Sequence, residues 1–148
     1  MSHGSKKTTK NYLETQQAGF DLAKNLKGGE VICLHGDLGS GKTTFVQGLA
    51  KGLGIDAKII SPTFIIMRSY EIRLKNEDLG FKNFYHVDLY RIENEKDVKG
   101  LGLMEFMKDP ESVIAIEWPE KIENLLPEKR IDIIFNYLDE DRREIVFE

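Results

Sequence analysis

Gly36-Asp37-Leu38-Gly39-Ser40-Gly41-Lys42-Thr43 has the spacing G-x-x-x-x-G-K-[ST], and each fixed position has a chemical reason. Without side chains at Gly36, Gly39 and Gly41 the backbone can curl until successive N–H groups point at a polyphosphate, and a following helix adds its positive end. Lys42 supplies an ammonium group for the outer phosphates. Thr43 supplies a hydroxyl for a magnesium ion bridging them. The apolar run Val31-Ile32-Cys33-Leu34 before the loop and the helical pattern after it favour nucleotide binding over an idle glycine-rich turn.

Phosphoryl transfer is mostly a matter of positioning and charge stabilisation, so a carboxylate near the metal and a group to orient the attacking water are needed as well. Glu117 follows the apolar run Val113-Ile114-Ala115-Ile116, where a Walker B acid would reach magnesium directly or through water. Most phosphate-loop proteins place Asp there, and the longer Glu can still reach. In His86-Val87-Asp88-Leu89-Tyr90-Arg91, strand alternation sends His86, Asp88 and Tyr90 to one face. Spacing alone fits two readings of Asp88 equally: an acid near the terminal phosphate, or a surface residue paired with Arg91 or a lysine. Ser61-Pro62-Thr63 reads as a turn entering a strand or as a phosphate-sensing loop, and the residues alone favour the turn. Trp118 before Pro119 reads as packing. His35 and His86 have no Cys or His neighbours at metal-ligand spacing, which argues against a zinc site.

Elements to position these groups can be read from the hydrophobic pattern. Leu13, Phe20, Ala23 and Leu26 predict a helix within Asn11 to Lys27, stopped by Gly28-Gly29. Glu30 to His35 predicts a buried strand, and Phe45, Val46, Leu49, Ala50 and Leu53 a helix ending at Gly54. Phe64 to Ile72 and Phe84 to Tyr90 predict an antiparallel ribbon. A helical segment broken near Gly100 and Gly102 follows within Glu93 to Lys108, then a strand at Val113 to Ile116 and a short helix after Pro119. Ile131 to Leu138 and Glu144 to Phe147 predict a closing hairpin. Strands followed by helices imply an α/β fold of the phosphate-loop NTPase type: a mostly parallel sheet flanked by helices, with antiparallel additions. Ligands then belong at the carboxyl ends of the strands, where both the loop and Glu117 fall.

With 148 residues and 41% hydrophobic content, residues 1–148 suit one domain. The first ten residues are expected to be flexible, and Met1 to Ser5 resemble a cloning remnant as much as native sequence. A net charge of -4 and a pI near 5.5 give no general basic surface, so direct DNA binding is not expected and any RNA would be met through a partner protein. Cys33 stands alone and reads as a small buried hydrophobe. No stretch is long and apolar enough for a membrane span and no secretory signal is evident, so a cytoplasmic location is expected.

Four blocks in order, Gly36 to Phe45, Ser61-Pro62-Thr63-Phe64, His86 to Arg91 and Ile116-Glu117-Trp118-Pro119-Glu120, closely resemble the TsaE (YjeE) family of bacterial ATPases. The similarity runs from about Tyr12 to the last hairpin. The resemblance implies a magnesium-dependent ATPase, weak alone and stimulated by partners. It would act with TsaB and TsaD in forming N6-threonylcarbamoyladenosine on tRNAs that read codons beginning with A. It implies ATP contacts from Gly36, Asp37, Leu38, Gly39, Ser40, Gly41, Lys42, Thr43, Thr44 and Glu120, magnesium ligation by Thr43 and Glu117, and hydrolysis dependent on Asp88, Lys42 and Glu117. An arginine of the last hairpin should face the nucleotide; Arg142 matches best, with Arg143 beside it. Ser40 stands where the family often has alanine. The alternatives are a nucleotide-gated interaction module and a small-molecule kinase, the latter weakened by the lack of an evident Arg-rich lid. No Asn-Lys-x-Asp motif for guanine occurs.

Overall fold

The computed structural model describes residues 4–55, 59, 66–72 and 80–148. Its frame is one seven-stranded sheet in the order β1-β7-β6-β2-β5-β4-β3. The strands are β1 (Ser5–Thr9), β2 (Val31–His35), β3 (Met67–Glu71), β4 (Asn83–Asp88), β5 (Ser112–Glu117), β6 (Ile131–Tyr137) and β7 (Arg143–Phe147). The inner four, β6-β2-β5-β4, run parallel, while β7 and β1 on one side and β3 on the other add antiparallel. Every residue of β5 is buried, as expected of a parallel strand covered on both faces. The fold is therefore the predicted mostly parallel α/β sheet with antiparallel additions.

Helices α1 (Tyr12–Ala23) and α2 (Lys42–Gly52) cover one face. Their Ala18, Leu22, Phe45, Val46 and Leu49 pack on Ile32, Leu34, Ala115, Ile133 and Phe135. The opposite face is covered by helix α3 (Leu103–Met107) and two 3-10 segments, Glu95–Leu101 and Pro119–Leu125, over Cys33, Val87, Ile114 and Ile116. The helical pattern breaks at Gly102, which sits in the left-handed region at φ 76. The glycines of the first pair of helices act differently, through contact. A Cβ on Gly48 would lie 1.7 Å from the Gln16 carbonyl oxygen, and one on Gly19 2.1 Å from that of Phe45, so only glycine lets the two backbones meet.

Patterning gives no element before Asn11 and leaves those residues flexible, yet the structure places Ser5–Thr9 in an edge strand along β7. The reason is composition. Ser-Lys-Lys-Thr-Thr has no apolar alternation to read, and its pairing is made by backbone bonds. At its end Thr9 is buried and its hydroxyl lies 2.7 Å from that of Thr15 in α1, while the Asn11 side chain accepts from the Glu14 amide as the helix cap. The Ser61-Pro62-Thr63 turn and the start of the run at Phe64 lie outside the described residues.

Candidate functional site

The carboxyl ends of β2, β4 and β5 open into a cleft of about 630 Å³, joined by the amino end of β7. Residues 38–44 of the loop, Asp88, Tyr90, Glu117, Trp118 and Arg143 line it. The loop turns sharply out of β2 into α2, with Gly36, Gly39 and Gly41 at φ 153, 78 and 103. At Gly41 and Gly39 an L side chain would be strained, which is why the loop spends glycine there. Gly41 also serves as the N-cap of α2 and offers no side-chain cap bond, leaving the first amides of the helix open to an anion.

Lys42 is buried against the loop itself. Its ammonium donates to the carbonyls of Gly36 and Asp37 and lies 3.9 Å from the centre of the Trp118 ring. Burial holds its pKa below the ordinary lysine value, with Glu117, Glu120 and Asp88 opposing that shift. Trp118 is placed there by a left-handed backbone, φ 61 and ψ 48, and it is the one non-glycine with positive φ among the described residues. That conformation costs a bulky residue on the order of 1–2 kcal/mol. Tyr90, half exposed, leans against the indole at 5.2 Å between ring centres.

Thr43 donates its hydroxyl to both carboxylate oxygens of Glu117 at 3.1 Å, and Glu117 is held from the other side by His86 Nε2 at 2.6 Å. Parallel register sets Asp88 of β4 opposite Glu117 of β5, so both acids reach the same cleft. Asp88 accepts from the Tyr90 amide at 3.0 Å, which folds the chain back at the strand end. Hydroxyl and carboxylate oxygens are the hard donors that magnesium takes, alongside phosphate oxygens. The loop also contains a buried hydroxyl, Ser40 Oγ, without a partner among the described residues. The donor set thus fits a magnesium-bound polyphosphate.

The structure places the remaining predicted residues on different sides of the cleft. Arg142 turns from the cleft and bonds Asp139 through Nε at 2.6 Å, while Arg143 lines the cleft and donates from Nε to the Gly39 carbonyl at 3.2 Å. Arg142 lies in the turn just before β7, where Asp139 takes both its amide and its guanidinium, while Arg143 is the first residue of the strand, and where the turn ends could not be read to one residue. Glu120 is half exposed and faces His35 Nδ1 at 3.8 Å, outside the lining of the cleft; Gly36 and Asp37, which open the loop, also lie outside that lining and hold Lys42 through their carbonyls. Trp118, read as packing, is part of the cleft wall. The signal was its place one residue after a strand-end acid.

A family model described as "Threonylcarbamoyl adenosine biosynthesis protein TsaE" matches residues 9–145. The tRNA threonylcarbamoyladenosine biosynthesis protein TsaE of Bacillus subtilis is 41% identical over 139 residues, covering 94% of this chain and 82% of the relative. The protein of the same name from Treponema pallidum is 37% identical, covering 89% and 91%. The crystal structure of YdiB from Bacillus subtilis superposes with a TM-score of 0.77 at 35% identity, over 99% of this chain and 86% of that one. Among the described residues no helix is long and apolar enough to cross a membrane.

Proposed function

The chain belongs to the TsaE family, and from that premise we propose that it binds and hydrolyses magnesium ATP in the biosynthesis of tRNA threonylcarbamoyladenosine, acting with TsaB and TsaD. One observation carries the nucleotide part of the reading: an open helix start, a loop lysine, the Thr43–Glu117 pair and Asp88 all converge on one cleft. Lys42 would exchange the Gly36 and Asp37 carbonyls for terminal phosphate oxygens, which repay its burial better than neutral acceptors do. Magnesium held by Thr43 and Glu117 would neutralise charge on the outer phosphates. Asp88 would accept a hydrogen bond from the attacking water and hold it in line, and Arg143 would add positive charge at the open side. With a net charge of -4, contact with tRNA falls to the partner proteins.

Calorimetry and steady-state turnover test this together. Wild type should bind magnesium ATP, with turnover raised by TsaB and TsaD, and Asp88→Asn should keep the affinity while losing about 10²-fold or more in turnover. Absence of binding at millimolar nucleotide would end the proposal, and full turnover in the Asn variant would release Asp88 from its role. The gated-module alternative makes the opposite forecast for repeated rounds of modification, which would then run on a non-hydrolysable analogue.

A further inference from the structure

The geometry points to His86 as the positioning residue that aims Glu117, an inference that rests on reading the cleft as a magnesium-nucleotide site. His86 is fully buried on β4, and its register partner on the neighbouring strand is Ala115, whose small side chain leaves room for the ring. From there it reaches diagonally to the residue two places further on, putting Nε2 2.6 Å from Glu117 Oε2. Glu117 is itself only 3% exposed, so its carboxylate depends on protein donors. Among the described residues it receives two: the Thr43 hydroxyl on the loop side and the His86 ring on the core side.

The two donors do different work. Thr43 Oγ1 belongs to the proposed metal site, so even though its hydrogen can still point at Glu117, its position follows the metal and it does not hold the acid independently. His86 is outside the cleft lining and stays in place. An ionised carboxylate only accepts, so Nε2 must carry the hydrogen. His86 Nδ1 is then an acceptor, buried and without a partner among the described residues, so no second polar anchor sets the ring. Packing and the Glu117 bond fix its angle, and that bond in turn fixes the carboxylate. A histidine behind a metal-facing acid is thus an outer-shell contact of the kind that tunes metal affinity.

The test uses ADP affinity measured by calorimetry in Mg²⁺ and again in EDTA, for wild type, His86→Gln and His86→Asn. A Gln amide nitrogen can occupy the place of Nε2, whereas Asn is too short and mimics Nδ1. The Gln variant should keep the full Mg²⁺-dependent gain. The Asn variant should lose about 10–100-fold of that gain while its affinity in EDTA stays at the wild-type value. A merely structural histidine would lower both affinities together. An Asn variant with the full gain, or a Gln variant losing as much as Asn, overturns the inference. Should the Asn variant not fold, a long-range ¹H–¹⁵N spectrum of the wild-type ring decides: a proton on Nε2 supports the role, and an Nδ1–H tautomer removes it. A wild type with no gain from Mg²⁺ would instead bring down the site reading itself.

Discussion

Lys42 sits between its own loop carbonyls and the Trp118 face, and in the proposed site it would also meet the charge of an incoming phosphate. Cation–π contact at 3.9 Å makes the indole a reporter, and Trp118 is the one tryptophan of the chain. Titration with magnesium ADP should change its emission in saturable fashion as the ammonium leaves the ring. An unchanged spectrum at saturation, verified by calorimetry, would mean that Lys42 stays on the indole. Burial of the same ammonium also has a sign. Its folded pKa lies below 10.5, so at neutral pH the folded state holds a penalised charge, and between that pKa and 10.5 the unfolded chain binds more protons. Stability from this group therefore rises with pH across that window. Measured without added nucleotide, Lys42→Met should melt higher than wild type near neutrality, and the difference should shrink as the pH nears 10.5. A difference independent of pH would contradict the assignment. The thiol of Cys33 is pushed up to about 12, chiefly by burial, in keeping with the inert reading from sequence. Lys42 and Thr43 were legible because their motif is local. His86 was not, because its partner lies 31 residues away and only strand register brings them together.

At the scale of elements, the close crossing of α1 and α2 carries the site, since α2 begins with Lys42 and Thr43. Gly48→Ala should force the backbones apart and cost about 1–3 kcal/mol. Thermal melts of this variant beside Gly100→Ala make the comparison, because a Cβ on Gly100 meets nothing within 4 Å. Equal melting temperatures for the two would show that the helices can separate without penalty. Sequence patterning located these helices, the antiparallel ribbon and the closing hairpin through their apolar periods. Their ends were less visible: α1 starts after its Asn11 cap as read but stops at Ala23, short of Lys27, and the segment after Trp118 is a 3-10 turn with a kink at Ile122. Such ends depend on individual bonds and dihedrals, which periodicity does not encode.

Across the whole molecule, strand order was the least legible property, because β6 lies beside β2 although roughly a hundred residues separate them, and only packing brings them together. The ends of the sheet matter as much as its centre. Strand β1 pairs Thr9 with Arg143, and Thr9 touches Thr15, whose methyl approaches Gly41 to within 3.5 Å of a Cβ built there. An amino-terminal deletion through Thr9, innocuous by composition, would strip the flank from the strand presenting Arg143 and the prop from beneath the phosphate loop. Its signature should be weaker nucleotide affinity in a chain that still folds, so trimming or tagging this terminus alters the cleft at a distance, and an equal affinity after the cut would show the loop to be self-supporting.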